Sequence, residues 1–243
     1  MLARISFAAK DLILPILSTQ TPFMTGRLLS TSPTTTSQMI FSELKWLDMS
    51  IIKRKGKALV TDVQCIPLSE AVIMPSVAGF NLLGESSKYP ESTSSSVKAK
   101  LVCFSFTEYG FNLNKSFREP FMEAFTDQKD IVAIELCFVE YGFLRMMRGV
   151  FASNLKKKIP ESHHSLTQII FGGVLDFAKQ LNLPNKFAGY SFLLDSSNRV
   201  RWRGSGLASP EELKLMIQCT EELIVEARSR EKDARTRGGR SSQ

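Results

Sequence analysis

Cysteine and histidine are scarce in this chain of 243 residues, and their spacing does not suit a metal site. The two histidines, His163 and His164, have no cysteine or carboxylate at metal-ligand spacing, and no Cys-x-x-Cys pair occurs. We therefore expect no metal, no other cofactor and no disulfide framework. Most of the cysteines lie in apolar runs, where a free thiol behaves as a small hydrophobe. The four cysteines are Cys65, Cys103, Cys137 and Cys219.

Long hydrophobic runs are also missing. The uncharged run at residues 12–26 is too short, and too rich in proline and threonine, to cross a bilayer. Elsewhere no stretch reaches the length of about 18 apolar residues that a membrane-spanning helix needs. The sequence therefore predicts no transmembrane helix.

Acidic residues are nearly absent from the start of the chain, where Asp11 is the only one among the first forty residues. The same stretch is rich in serine, threonine and leucine and carries Arg4, Lys10 and Arg27, with apolar residues at helical spacing. This acid-poor amphipathic profile is typical of a mitochondrial presequence, which we predict over residues 1–29 as a disordered segment. The alternative is a plain disordered tail.

The net charge of +7 is concentrated toward the two ends of the chain. The part between them is only mildly basic, which argues against a nucleic-acid partner. From composition and pattern we divide the chain into the presequence at 1–29, an N-terminal extension at 30–72, a compact domain at 73–227 and a disordered basic tail at 228–243.

The compact domain is organised around an apolar run that turns directly into a helix. Residues 101–106 form an apolar run that contains a valine and two phenylalanines, which predicts a strand covered on both faces. Asn112 or Asn114 can cap the helix that follows the turn at 107–110. Residues 130–139 form a second predicted strand, and the strand-helix-strand order implies that the two strands are parallel.

The second half of the domain completes the pattern. We predict a helix from Tyr141 to Lys158, a hairpin whose strands are 189–194 and 199–203, and a last helix that begins at the capping box 209–212. The order β-α-β, helices, β-hairpin, α is that of a thioredoxin-like domain. The predicted fold class is therefore α/β, with a mixed sheet flanked by helices.

The hairpin supplies the first candidate site. Val200 and Trp202 are predicted to face the core, whereas alternation places three arginines on the opposite face. These arginines either bind an acidic partner or protect an edge strand from aggregation. The candidate partner-binding residues of the hairpin are Arg199, Arg201, Trp202 and Arg203.

The predicted helix at 141–158 supplies the second candidate site, because it has more apolar residues than one buried stripe holds. The residues that can cover the sheet are Leu144, Met147, Val150, Phe151 and Leu155. Phe143 and Met146 are left over beside Arg145 and Arg148, and we take these four as candidate partner-binding residues. Such a surface suits an apolar transmembrane partner or an anionic membrane. The alternative is that Phe143 and Met146 are buried under the chain that precedes residue 101.

Five segments occur in order along residues 75–225: 101–106 with 109–111, 144–149, 171–172, 188–195 and 199–208. Together they resemble the "ATP ten" family of mitochondrial ATP synthase assembly factors. The resemblance implies a peripheral protein on the matrix side of the inner membrane. It also implies a chaperone for the membrane-embedded subunit a of the Fo sector, before subunit a joins the ring of c subunits. No catalytic residues are implied.

Two other functions remain open on the sequence. One is a peroxiredoxin-like or thioredoxin-like thiol enzyme of the matrix. The turn where such enzymes carry their reactive thiol, residues 107–114, contains no cysteine, so Cys103 or Cys137 would have to serve from mid-strand. The other is an organellar RNA-binding protein, for which Trp202 is the one aromatic residue interleaved with basic residues. We expect a protein that is not an enzyme.

The presequence generates the first testable prediction. On import into mitochondria, the chain should be cleaved within about ten residues of Ser30, because the acid-poor amphipathic segment ends there. N-terminal sequencing of the protein recovered from mitochondria measures this. A mature protein that still begins at Met1 would contradict the prediction.

Overall fold

The computed structural model describes residues 46–91, 93 and 96–238, which form a seven-stranded mixed sheet flanked by helices. The strands are β1 (Val77–Asn81), β2 (Ser86–Tyr89), β3 (Ala99–Ser105), β4 (Ile131–Val139), β5 (Thr167–Phe171), β6 (Gly189–Asp195) and β7 (Val200–Ser205). The α-helices are α1 (Glu108–Ala124), α2 (Arg148–Lys156), α3 (Val174–Gln180) and α4 (Pro210–Gly238). Short 3-10 helices occupy Met49–Ile52, Gly142–Met147 and Glu161–His163.

The strand order across the sheet is β2-β1-β5-β4-β3-β6-β7. Strands β3, β4 and β5 pair in parallel, and the other neighbours pair antiparallel. Along the chain, the unit β3-α1-β4 comes first and the unit β6-β7-α4 comes last. In the sheet, β3 lies between β4, with which it pairs in parallel, and β6, the first strand of the hairpin. This is the thioredoxin-like arrangement, so the predicted fold class is confirmed.

Strand β3 lies inside the sheet, between β4 and β6, and all of its residues are buried. Its side chains alternate between two apolar clusters. Val102 and Phe104 belong to the cluster that contains Phe177 of α3, with the Phe104 and Phe177 ring centroids 5.4 Å apart. Leu101 and Cys103 belong to the cluster under α1 and α4. The continuous apolar run is therefore explained by burial on both faces.

Helix α1 begins at Glu108, inside the turn predicted at 107–110, and its cap differs from the prediction. The Thr107 side chain, rather than Asn112 or Asn114, caps the helix by accepting a hydrogen bond from Gly110 N at 3.1 Å. Asn114 is buried and donates to the Glu135 carboxylate on β4 at 3.2 Å. The Asn114 amide is thus needed to solvate a charge inside the domain, which excludes it from a capping role.

The folded unit extends beyond both predicted boundaries of the compact domain. It begins at Trp46 rather than at residue 73, and the buried Trp46 ring lies 5.2 Å from the Phe106 ring. Helix α4 continues to Gly238 rather than ending at residue 227, and Glu226 pairs with Arg230 one turn later at 3.3 Å. The presequence at 1–29, the extension before residue 46 and the tail after 238 lie outside the described residues.

Candidate partner-binding surface

The hairpin candidates are satisfied within the chain. Trp202 is fully buried, and its indole N–H donates to the carbonyl oxygen of Asp62 at 3.1 Å. Arg201 is only 3% exposed and forms a two-pronged pair with Glu226, at 2.8 and 2.9 Å. Arg203 forms a similar pair with the Asp62 carboxylate, with both distances 3.0 Å. These three side chains are therefore occupied by internal contacts.

The segment that occupies them is residues 46–73, which we call the strap. The strap runs along β7, the last strand of the sheet. Ile66 N donates to Arg201 O at 2.6 Å, and Val200 N donates to Val72 O at 2.8 Å. An edge strand that presents unpaired N–H and C=O groups is a template for aggregation. The strap pairs part of this edge with the protein's own backbone.

The Gly-Ser-Gly sequence at residues 204–206, at the end of β7, continues the contact with the strap. The Ser205 hydroxyl accepts hydrogen bonds from Ala58 N at 3.0 Å and Leu59 N at 2.9 Å. Gly206 has a φ of +70°, and a Cβ atom on it would lie 2.5 Å from the carbonyl carbon of Gly56. Only glycine at position 206 allows the strap to approach this closely.

These contacts give the hairpin residues partners inside the chain, and their role in binding another protein stays a prediction. Arg201, Trp202 and Arg203 bind the strap and α4, and the half-buried Arg199 forms a β-bridge with Ile73. Of the two roles that the sequence left open for the arginines, these contacts favour protection of the edge strand. No periodic pattern marks the strap in the sequence, because its contacts come from irregular backbone.

The second candidate site is exposed. Residues 141–150 form an apolar and basic surface, which we call the 141–150 surface, and Phe143 is 72% and Met146 93% exposed. Neither side chain is covered by other described residues, so the burial alternative is not observed. Met147 and Val150, which were expected to cover the sheet, are also exposed, at 42% and 45%.

The geometry of the segment explains this larger exposure. Gly142–Met147 is a 3-10 helix, and only Arg148–Lys156 is α-helical. A 3-10 helix has three residues per turn, so its apolar side chains do not follow the α-helical stripe on which the prediction rested. Leu155 is buried, whereas Leu144 and Phe151 are partly buried against the same apolar cluster. The single predicted helix at 141–158 is therefore replaced by two helical segments.

Two arginines attach this surface to the sheet. The guanidinium carbons of Arg145 and Arg148 each lie 4.7 Å from the ring centroid of Phe80 on β1. This distance allows a cation–π interaction, worth about 0.5–1 kcal/mol at an exposed site. Helix α2 then ends near the exposed Lys156 and Lys157. The 141–150 surface thus combines exposed apolar side chains with adjacent positive charge.

The thiols of the central strands are inaccessible. Cys103 and Cys137 are buried, and α1 begins with Thr107 and Glu108 at the position where a thioredoxin-like enzyme carries its reactive cysteine. Burial, together with the nearby Glu135 carboxylate, raises the pKa of Cys103 to about 12. Burial also raises the pKa of Cys137 well above its ordinary value. A thiolate at either position is disfavoured at neutral pH.

The described residues contain neither a candidate membrane-spanning helix nor a candidate metal-binding group. No helix within residues 46–91 or 96–238 combines the length and apolar character needed to cross a bilayer. In the part of the chain that the structure describes, histidine, cysteine and carboxylate side chains do not gather in a group of three or more that could hold a metal ion.

Comparison with known proteins gives one family. The model of the family described as ATP10 protein matches residues 35–223, and no curated protein matches the chain. Among solved structures, a member of the Sco family of cytochrome c oxidase assembly proteins, BsSco, is 13% identical with a TM-score of 0.47, covering 68% of this chain and 98% of that one. A DsbF homologue from Corynebacterium diphtheriae is 13% identical with a TM-score of 0.45, covering 67% and 93%. The thioredoxin domain of a thiol-disulfide oxidoreductase from Bacteroides vulgatus is 15% identical with a TM-score of 0.38, covering 60% and 94%.

The contact between the strap and the hairpin predicts the effect of adding one methyl group. Gly206→Ala should destabilise the protein by roughly 1–3 kcal/mol more than Gly84→Ala, because only the first substitution forces the strap away from the hairpin. Gly84 is the matched control: its φ is also positive, at +94°, but nothing lies within 4 Å of a Cβ atom there. Urea unfolding measures the difference, and limited proteolysis should show faster cleavage within residues 46–73 of Gly206→Ala. Equal losses of stability would contradict the role given to this contact.

Proposed function

The chain belongs to the ATP10 protein family, and we propose from this membership that it is a mitochondrial chaperone for subunit a of the Fo sector of ATP synthase. The family serves ATP synthase assembly. In the proposed function, the protein holds membrane-embedded subunit a before it joins the c ring. It works on the matrix side of the inner membrane, as a peripheral protein, and it is not an enzyme.

The observation that carries the proposal is the 141–150 surface. Burying a Phe or Met side chain contributes about 1.5–3 kcal/mol, and Phe143 and Met146 leave most of this free energy available to a partner. Methionine is flexible and polarisable, so it adapts to apolar surfaces of irregular shape. A transmembrane segment of subunit a that has not yet met its neighbours presents such a surface.

The positive charges beside this surface support a location at the inner membrane. Arg145, Arg148, Lys156 and Lys157 are exposed on one helical region. A basic residue close to an anionic leaflet contributes about 1 kcal/mol to binding, and exposed aromatic side chains enter the headgroup layer. Peripheral contact with the membrane would keep the chaperone beside a partner that is itself embedded in the bilayer.

The burial of Cys103, Cys137 and Trp202 favours this proposal over a thiol enzyme and over an RNA-binding protein. A thiol enzyme needs an accessible cysteine that ionises at neutral pH, and burial raises the pKa of both central cysteines. An RNA-binding protein would use Trp202 for stacking on a base, but that ring is buried in the apolar cluster under α1 and α4. We therefore propose no nucleic-acid partner and no catalytic residues.

The test of the binding surface is the double variant Phe143→Asp with Met146→Glu. It should fold and enter mitochondria normally, yet lose co-purification of Fo subunits and most of the assembled ATP synthase, because two charges replace the apolar contact. Native gels and affinity purification from mitochondria measure the two effects. Both residues are exposed, so the free energy of unfolding should change by less than about 1 kcal/mol.

A matched control places two charges on apolar residues elsewhere. Val60 is 93% and Val225 63% exposed, and neither belongs to the 141–150 surface. The variant Val60→Glu with Val225→Asp should keep normal assembly. Normal assembly with the stably expressed Phe143→Asp, Met146→Glu protein would refute the proposed surface, and equal loss in both variants would show that added charge alone is responsible.

The non-enzymatic part of the proposal predicts that the buried thiols can be removed. Cys103→Ala with Cys137→Ala should cost about 1–3 kcal/mol of stability per site through lost packing, while assembly at matched protein levels stays intact. Urea unfolding and the amount of assembled ATP synthase are the two measurements. A folded variant that fails to support assembly would show that a thiol takes part in the function.

A further inference from the structure

The start of the strap carries a second exposed surface, with the same mixture of apolar and basic side chains as the 141–150 surface. Leu47, Met49 and Ile52 are large apolar residues that are exposed to solvent. The three basic residues at 53–55 follow them directly and are exposed as well. We call residues 47–55 the 47–55 surface.

Local contacts give the 47–55 surface a fixed shape. The Asp48 carboxylate accepts a hydrogen bond from Ser50 N at 2.8 Å, which caps the 3-10 helix Met49–Ile52. Ile51 is the one buried residue of this helix. The apolar residues on either side of Ile51 are therefore held facing outward by an ordered turn.

The 47–55 surface lies beside the 141–150 surface, and Lys186 connects the two. Lys186 N donates to the carbonyl oxygen of Trp46 at 3.0 Å. The ammonium group of the same lysine pairs with the Glu140 carboxylate at 3.2 Å. The residue that precedes each surface is thus attached to one side chain.

The first turn of α1 connects the two regions at a second point. The Tyr109 hydroxyl donates to the carbonyl oxygen of Ile52 at 3.3 Å, and Glu108 forms an ion pair with Lys158, which follows α2. This turn comes directly after β3, and Glu140 comes directly after β4, with which β3 is parallel. Both surfaces therefore lie at the end of the domain where β3 and β4 finish.

This end of the domain is positively charged, because its acidic residues are already paired. Within residues 46–57, 107–118 and 140–158 the acidic residues are Asp48, Glu108 and Glu140, and their partners are Arg54 at 3.8 Å, Lys158, and Lys186 at 3.2 Å. Four exposed lysines have no ion-pair partner among the described residues: Lys53, Lys55, Lys156 and Lys157. Their charge is available to an anionic partner.

We propose that the 47–55 and 141–150 surfaces dock the protein together on an anionic bilayer, with the carboxyl ends of β3 and β4 facing the membrane. In this orientation the free lysines meet phosphate headgroups, and the exposed apolar side chains enter the headgroup layer. Two contacts side by side fix the orientation, whereas a single contact leaves the protein free to rotate. The inference rests on the peripheral location in the proposed function, but the identity of the protein partner does not enter it.

The apolar residues favour a membrane over a nucleic acid as the occupant of this charged end. A single-stranded nucleic acid is bound by basic residues interleaved with aromatic rings on which the bases stack. The exposed apolar residues of the 47–55 surface are aliphatic or methionine, so they offer no such ring. Aliphatic side chains beside lysines suit the boundary between headgroups and acyl chains.

The first test is co-sedimentation of the protein, as purified from mitochondria, with vesicles of phosphatidylcholine and phosphatidylglycerol. Lys53→Gln with Lys55→Gln should weaken binding roughly 30-fold, because each lysine near an anionic leaflet contributes to the affinity. The matched control is Lys129→Gln with Arg228→Gln. These two exposed residues line one hollow beside the start of β4, at the opposite end of the parallel strands, and binding should change by less than about twofold.

A second measurement reports the orientation. Met49→Trp places a new indole on the 47–55 surface, and Val225→Trp places one beside the control residues. Vesicles with brominated acyl chains should quench the added fluorescence of Met49→Trp and leave that of Val225→Trp unchanged. The native Trp46 and Trp202 are buried, and the unsubstituted protein supplies the background.

The outcomes separate this inference from the proposed function. Equal vesicle binding by the two lysine and arginine double variants, or equal quenching of the two added indoles, would overturn the second contact. If Phe143→Asp with Met146→Glu still abolished vesicle binding in that case, the peripheral location would stand on the 141–150 surface alone. Failure of the unsubstituted protein to bind anionic vesicles, or retention of RNA in their place, would overturn both the inference and the membrane location.

Discussion

The open edge of strand β7 is the constraint on which much of the remaining structure depends. A hairpin at the end of a sheet leaves backbone donors and acceptors that must be paired or exposed to water. The strap supplies partners at Ile66 and Val72, and the buried Arg201 connects the strap to Glu226 on α4. The last strand, the N-terminal segment and the C-terminal helix are therefore held together by one group of contacts.

The motif that carries the hairpin is explained by this docking. Trp202 and Arg203 both bind Asp62, through its carbonyl and its carboxylate, and Ser205 accepts two backbone hydrogen bonds from the strap. A two-pronged arginine–carboxylate pair fixes orientation as well as distance. The most distinctive residues of the sequence thus maintain the fold.

The 141–150 surface lies toward the edge of the sheet opposite β7, where the Phe80 ring on β1 contacts Arg145 and Arg148. A short 3-10 helix presents Phe143 and Met146 to solvent. The thioredoxin-like core contributes a rigid support. Function is carried by sites placed on a fold, and here the position of the usual thiol is taken by the capping residue Thr107.

The sequence by itself determined the central strands, the hairpin and the last helix, because apolar runs, strict alternation and a capping box are local signals. It also identified Phe143 and Met146 as residues left over from a buried stripe. Tertiary structure alone decided what surrounds them and what covers the hairpin. Alternation placed Trp202 toward the core, but the strap has no periodic pattern, so the pairing of Arg201 and Arg203 could not be read from spacing. The contacts of Asp62 with Trp202 and Arg203 were hidden for the same reason, since residues distant along the chain come into contact only when irregular backbone docks on a finished sheet.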